Sequence, residues 1–165
     1  MIVRREAPAD AAAIRAVTES AFLGVTHSEQ TEAAIVDALR RAGALSISLV
    51  AEQDASIIGH VAFSPVRIDG EESGWFGLGP LSVSPRLQGR GVGTALVREG
   101  LDVLKRRGAS GCVVLGDQAY YRRFGFTGDH RLRYGDAPPQ YFQSIVLCGR
   151  PVVGEATYHQ GFAAR

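Results

Sequence analysis

The chain has 165 residues, enough for one domain with its own core. Eighteen basic and 17 acidic side chains leave a formal net charge of +1, which argues against nucleic acid or an anionic membrane as partner. The two cysteines do not have metal-ligand spacing, no apolar run is long enough to span a bilayer, and the start of the sequence does not resemble an apolar signal. We therefore expect a cytoplasmic protein with no metal site and no membrane partner.

The N-terminal half of the chain switches from a helical to an extended period. Apolar residues first recur on one helical face, as with Ile35 and Leu39, which lie four residues apart. Alternating and β-branched residues follow, and Asp69-Gly70 predicts a tight turn between two strands. The predicted elements are a strand at 2–6, a helix beginning near Pro8, a helix ending near Gly43, and strands at 46–52, 57–68 and 75–83.

The C-terminal half contains one longer amphipathic helix. Val97, Leu101 and Leu104 share a helical face, and Gly108 follows a run of cations that is typical of a helix end. The further predicted elements are a buried strand at 111–115, a short helix at 117–124, and two closing strands at 141–147 and 152–158 around the turn at 149–151. With no repeat or linker, we predict a single α+β domain over residues 1–165, with a mixed central sheet of about seven strands and about four helices.

A glycine-rich loop joins the strand that ends at Val83 to the following helix. Its glycines stand at alternate positions, and glycine lets backbone N–H groups approach an anion closely. The helix N-terminus beyond adds unpaired N–H donors and the positive end of the helix dipole. The segment therefore predicts a pyrophosphate site. Arg86 or Arg90 could add a charge-assisted contact.

Other glycine-rich phosphate loops fit this segment less well. A P-loop requires a lysine before the helix, and Gly93-Thr94 lacks it. A dinucleotide fingerprint requires G-x-G-x-x-G after an early strand, whereas Gly89, Gly91 and Gly93 give G-x-G-x-G in the middle of the chain. A tight turn that binds no ligand stays open as an alternative.

Two motifs in order resemble the GNAT superfamily of N-acetyltransferases. Gln88–Gly93 matches the pattern Q/R-x-x-G-x-G/A and follows Val83-Ser84-Pro85, and Tyr121–Phe126 matches Y-x-x-x-G-F. The resemblance covers residues 2–126, and segments at 78–81, 114–117 and 156–162 are most similar to the YhbS-type subgroup. It implies a GNAT-like fold with an acetyl-CoA-binding core at about 45–126 and variable C-terminal strands at about 140–160.

The resemblance also implies an activity and a set of site residues. An amine would attack the thioester of acetyl-CoA directly, without a covalent acyl-enzyme, and Tyr121 would be the general acid that protonates the leaving thiolate. Tyr120 is expected to pack elsewhere. Asp117 stands where many members carry an asparagine that contacts the pantetheine arm. The expected cofactor-binding residues are Leu81, Ser82, Val83, Gln88, Gly89, Arg90, Gly91, Val92, Gly93, Thr94 and Asp117.

The acceptor and the general base remain open in the sequence. His27, Glu29 and Glu32 are candidate bases, whereas His60 in a strand is expected to be structural. The acceptor is expected to be a primary amine on a small molecule, or on a peptide, and a homodimer through the last strands is possible. The alternative hypothesis is a catalytically weak sensor or interaction module that binds acyl-CoA. An amine carried by a nucleic acid is disfavoured by the near-neutral charge.

Overall fold

The computed structural model describes residues 1–129 and 131–165. The helices are α1 (Ala11–Phe22), α2 (Glu32–Arg41), α3 (Val92–Arg106) and α4 (Gln118–Tyr121). The strands are β1 (Ile2–Arg5), β2 (Ile47–Gln53), β3 (Ser56–Ile68), β4 (Glu71–Val83), β5 (Gly111–Leu115), β6 (Leu132–Arg133), β7 (Phe142–Val146) and β8 (Gly154–Tyr158). Within these described ranges, no helix is long and apolar enough to cross a membrane.

The strands form one mixed sheet, which confirms the predicted fold class. Its order is β1-β2-β3-β4-β5-β7, and β8 pairs with both β3 and β6. β4 and β5 run parallel, while β1 to β4 form an antiparallel meander. The sheet has eight strands rather than about seven. The additional strand β6 has two residues, too few to show a hydrophobic period.

The two closing strands, predicted around one turn, do not pair with each other. β7 pairs antiparallel with β5, and β8 pairs with Val66–Ile68 at the end of β3. β3 has 13 residues, and its register with β2 ends at Phe63. Beyond Phe63, the backbone groups on this edge of β3 have no partner in β2. β8 supplies their hydrogen bonds at Val66–Ile68.

Helices cover both faces of the sheet. On one face the apolar side of α3, including Leu96 and Leu101, packs on Phe63 and its neighbours in the largest core cluster. On the other face Ile14 of α1 and Val36 of α2 pack on Val50. Each of these three helices therefore buries one apolar stripe and leaves its polar side to solvent.

The strands β4 and β5 part at one end of the sheet. Their pairing runs from Trp75–Gly111 to Leu78–Val114 and stops there, although β4 continues to Val83 beside β3. Beyond Leu78 no described strand pairs with this edge of β4. The parting leaves backbone N–H and C=O groups available next to the start of α3.

Candidate active site

An open cleft of about 360 Å³ lies where β4 ends and α3 begins. Its wall includes the glycine loop, the end of β4, the last turn of α1, and α4 with the turn that follows it. The lining residues are Ala21, Phe22, Leu81, Val83, Leu87, Gln88, Gly89, Gly91, Gly93, Thr94, Tyr120 and Arg123. Seven of the residues predicted to bind the cofactor are therefore brought to one cleft.

The glycine loop turns its backbone toward the cleft by using left-handed conformations. Gly89 has a φ of +74° and Gly91 a φ of +87°, values that side chains with a Cβ rarely adopt. Gly91 is the N-cap of α3, and its carbonyl accepts the first helical hydrogen bond from Ala95 at 3.0 Å. No described side chain caps this helix end. The first N–H groups of α3 and the positive end of its dipole are thus available to an anion.

The absence of a side chain at Gly93 keeps the cleft open. A Cβ built on Gly93 would lie 2.8 Å from the Tyr120 hydroxyl oxygen. Gln88 holds the loop against the strand, because its Nε2 donates a hydrogen bond to the Val83 carbonyl at 3.1 Å. Loop, strand and α4 therefore meet closely at the base of the cleft.

The end of β4 presents alternate side chains to opposite faces of the sheet. Leu81 and Val83 line the cleft, whereas Ser82 is buried and its hydroxyl donates to Thr18 Oγ1 at 3.2 Å on α1. This alternation follows from the period of two in a strand. The side chain of Ser82 thus lies outside the cleft, and only its backbone belongs to the free edge of β4.

Three further residues predicted to bind the cofactor are not in the cleft wall. Val92 is buried in the core that α3 shares with the sheet, and Arg90 is exposed. Asp117 is the N-cap of α4, since its Oδ1 accepts the N–H of Ala119 at 2.9 Å. That hydrogen bond gives Asp117 a structural role at the helix start.

The two adjacent tyrosines of α4 occupy different environments. Tyr120 lines the cleft, contrary to the expectation that it packs elsewhere. Tyr121 packs against the core cluster that contains Leu78 and Val114, the last paired residues of β4 and β5. A Cβ built on Gly116 would lie 2.5 Å from Tyr121 Cε2, so the ring sits directly beside the end of β5. Burial raises the pKa of the Tyr121 hydroxyl, which therefore stays protonated at neutral pH.

Arg123 supplies a cation that the sequence analysis missed. Its Nε donates to the Tyr120 carbonyl at 2.8 Å, and its guanidinium carbon lies 4.3 Å from the centre of the Tyr120 ring. Such stacking holds the positively charged guanidinium group in place at the cleft wall. The spacing of three residues between Tyr120 and Arg123 is a signal that could have placed both on one helical side.

The remaining lining residues lie far from the motifs in the sequence. Ala21 and Phe22 end α1, and Leu87 belongs to the short turn before the glycine loop. No local pattern marks the two α1 residues, because only the packing of α1 against β3 and β4 brings them to the cleft.

The candidate bases differ clearly in their surroundings. His27 is exposed, and exposed Glu29 forms an ion pair with Arg165 at 3.4 Å. Glu32 is half-buried at the start of α2. His60 is buried, and its Nε2 lies 2.8 Å from Ser48 Oγ. Burial, with a smaller contribution from Arg40, lowers the pKa of His60 to about 3. His60 is thus a neutral residue of the core.

Metal-ligating side chains do not converge anywhere in residues 1–129 or 131–165. Among the described residues, no group of three or more His, Cys, Asp or Glu side chains stands in a position to hold an ion. Cys112 is buried in β5 and Cys148 is exposed, and both are free thiols.

Comparison with known proteins identifies the family. The Acetyltransferase (GNAT) family matches residues 12–126. The N-acetyltransferase YhbS of Escherichia coli K12 is 43% identical over 136 residues, which cover 81% of this chain and 78% of YhbS.

Solved structures agree with the match. A GNAT family acetyltransferase from Brucella melitensis, solved in complex with acetyl-CoA, is 52% identical, with a TM-score of 0.89 and coverage of 98% of this chain and 97% of that one. Escherichia coli YhbS in complex with CoA is 38% identical in its structural alignment, with a TM-score of 0.90 and coverage of 98% and 91%. On this evidence the chain belongs to the GNAT family of acetyltransferases.

Proposed function

We propose that this protein is an acetyl-CoA-dependent N-acetyltransferase that acts on a primary amine of a small molecule or peptide in the cytoplasm. The observation that carries the proposal is the cleft formed by the glycine loop and the free edge of β4. A pyrophosphate needs the helix N-terminus that the loop provides. A pantetheine arm has amide groups, which could pair as an added strand with the edge of β4 at Leu81–Val83 that faces away from β3.

The Brucella melitensis relative supports this assignment, because it was solved with acetyl-CoA and aligns over nearly the whole chain. The pyrophosphate would lie at Gln88–Thr94, and Arg123 is a cation in the lining of the same cleft. The pantetheine would follow β4 from Val83 toward Leu78, so that the thioester reaches the point where β4 and β5 part. Backbone N–H groups of β4 would polarise its carbonyl.

The transfer exchanges one bond to the acyl carbon for another. The amine nitrogen attacks the acetyl carbonyl carbon, the C–N bond forms, and the C–S bond breaks. Tyr121, at the parting of the strands, donates its hydroxyl proton to the leaving sulfur and is protonated again by the proton that the nitrogen loses. The products are the acetylated amine and coenzyme A, and an acceptor that arrives as an ammonium ion also releases one proton to water.

Calorimetric titration with acetyl-CoA tests the cofactor site. We expect wild type to bind and Gly91→Trp to lose binding, because an indole at Gly91 would stand over the helix N-terminus. Gly108→Trp is the matched control, since Gly108 has a φ of +77° and open space around it at the far end of α3. Failure of wild type to bind acetyl-CoA would refute the proposal, and so would equal binding by Gly91→Trp.

Two tyrosine variants test the chemistry. We expect Tyr121→Phe to lower kcat by about 10²-fold or more with little change in acetyl-CoA affinity, the usual effect of losing a general acid. Tyr120→Phe should keep most of kcat, because the Tyr120 hydroxyl lies beside Gly93 at the start of α3 and not at the parting of β4 and β5. The reverse ranking would transfer the acid role to Tyr120. Tight binding of acetyl-CoA without turnover of any amine would instead favour a sensor.

A further inference from the structure

The carbonyl of Gly116, directly after β5, is held by a side chain instead of by the neighbouring strand. The Gly116 N–H donates to the Tyr141 carbonyl at 2.7 Å. In a regular antiparallel ladder the Tyr141 N–H would donate back to Gly116, because such opposite residues exchange two hydrogen bonds. That N–H donates to the Pro138 carbonyl at 2.9 Å instead. The Gln143 side chain takes its place, since its Nε2 donates to the Gly116 carbonyl at 3.2 Å.

Gln143 is fully buried in β7, and only one end of its amide is paired. It lies opposite Val114, the last residue of β5 that pairs with β4. Its Oε1 has no hydrogen-bond partner among the described residues. A flipped amide would turn this oxygen toward the Gly116 carbonyl, which only accepts hydrogen bonds, so Nε2 is the atom that faces it. Because a buried unpaired oxygen is costly, the amide stabilises this place only through its donor end.

The hydrogen bond to the Gly116 carbonyl sets the direction of the next N–H. The peptide bond between Gly116 and Asp117 is trans and planar, so the Asp117 N–H points away from β7. On that side of β5 lies β4, whose pairing with β5 ends at Val114. No described residue accepts a hydrogen bond from the Asp117 N–H. It is therefore an available donor on the β5 side of the parting.

The same peptide lies next to the proposed acid. A Cβ built on Gly116 would lie 2.5 Å from Tyr121 Cε2, so the peptide and the tyrosine ring adjoin each other at the end of β5. The edge of β4 beyond Leu78 forms the opposite side of the parting. An extended chain with amide groups that enters the parting therefore meets backbone hydrogen-bonding groups on both sides.

We propose that Gln143 is a positioning residue for acetyl-CoA and acts through the Asp117 N–H. By holding the Gly116 carbonyl toward β7, Gln143 directs this N–H to an amide carbonyl of the pantetheine arm. The side chain of Asp117 keeps its separate role as the N-cap of α4. This inference rests on the proposed acetyl transfer. It adds a contact from the β5 side to those expected from β4 and the glycine loop.

Calorimetric titration of two ligands into Gln143→Met tests the role of the side chain. Methionine is similar in length to glutamine but has no donor. Acetyl-CoA should bind this variant about 3- to 10-fold more weakly than wild type, the usual effect of losing one hydrogen bond. Adenosine 3′-phosphate 5′-diphosphate, which has the pyrophosphate but no pantetheine, should bind both proteins equally. A purely structural role for Gln143 would weaken the binding of both ligands alike, and that result would overturn the inference.

Ser144→Ala is the matched control for Gln143→Met. Ser144 is the next residue of β7, so its side chain points to the other face of the sheet. The affinities of Ser144→Ala for both ligands should equal those of wild type. A loss of acetyl-CoA affinity as large as that of Gln143→Met would assign the effect to β7 as a whole and overturn the role of the Gln143 amide.

A pair of substitutions at Asp117 tests the N–H itself. Proline lacks an N–H, and its fixed φ of about −65° suits the φ of −73° at Asp117. Asp117→Pro and Asp117→Ala both lose the helix cap, but only the proline variant loses the N–H. We expect Asp117→Pro to bind acetyl-CoA about 3- to 10-fold more weakly than Asp117→Ala. Adding Gln143→Met to Asp117→Pro should cause little further loss, because both changes remove the same contact.

Equal affinity of Asp117→Pro and Asp117→Ala for acetyl-CoA would contradict the inference, and so would additive losses in the double variant. Either result, with wild type binding acetyl-CoA, would leave the proposed function intact. If wild type did not bind acetyl-CoA, both the proposed function and the role of Gln143 would be refuted.

Discussion

Gly93→Ala separates the stability of the protein from its affinity for acetyl-CoA. A Cβ at this position would lie 3.5 Å from Val83 Cγ2 and 3.7 Å from Leu81 Cδ2, both ordinary contacts. Its one tight contact is the Tyr120 hydroxyl at 2.8 Å, and that oxygen is the free end of a side chain. Alanine also improves helix propensity over glycine by about 0.5–1 kcal/mol. We therefore expect the free energy of unfolding to stay within about 1 kcal/mol of wild type.

The effect on binding should be larger, because the new methyl group occupies the cleft. Overfilling a packed surface by one carbon costs about 1–3 kcal/mol, which corresponds to about 5- to 150-fold weaker binding. Calorimetry with acetyl-CoA measures the affinity, and urea unfolding measures the stability in the same buffer. An unchanged acetyl-CoA affinity would show that the cofactor does not contact the start of α3.

Tyr120→Phe provides the control for this prediction. If the displaced hydroxyl contributes to the loss, Gly93→Ala combined with Tyr120→Phe should bind acetyl-CoA more tightly than Gly93→Ala alone. If the methyl group acts only by filling the cleft, the effects of the two substitutions should add.

Two further predictions concern stability. Gly100→Ala should lower the free energy of unfolding by about 1–3 kcal/mol in urea titrations, because a Cβ there would meet the Phe63 ring between α3 and the sheet; equal stability would contradict this close packing. His60 has a pKa of about 3, below its ordinary value of 6.5, so its neutral form contributes stability that is complete above 6.5 and is lost as the pH falls from 6.5 toward 3. The free energy of unfolding should therefore fall less between pH 7 and pH 4 in His60→Gln than in wild type. Parallel curves of this free energy against pH would refute this role for His60.

The glycine loop between β4 and α3 could be predicted because its information is local. The three alternate glycines, the preceding strand and the following amphipathic helix lie within one short segment, and glycine permits the conformations that such a turn needs. The structure confirms the strand and the helix, and it shows Gly89 and Gly91 in left-handed conformations. The fold class was predictable for the same reason, since hydrophobic period distinguishes helix from strand within each segment.

The directions of individual side chains in the site were less predictable. Ser82 contacts Thr18, 64 residues earlier, and no pattern near Ser82 marks that contact. Tyr120 and Tyr121 are the last two residues of a four-residue helix, which continues as a tighter 3-10 turn at Arg122–Phe124. Because the two helix types advance by different angles per residue, the sequence alone did not determine which tyrosine enters the cleft.

The sequence by itself therefore determined the elements other than β6, the glycine loop and the family resemblance, all of which depend on residues close together in the chain. Only the tertiary structure decided where β4 and β5 part, which edge β8 joins, and that Glu32 rather than Glu29 carries a buried unpaired oxygen. Each of these features is a contact between segments far apart in the sequence. Such contacts are selected by the packing of the whole domain, and local propensity does not encode them.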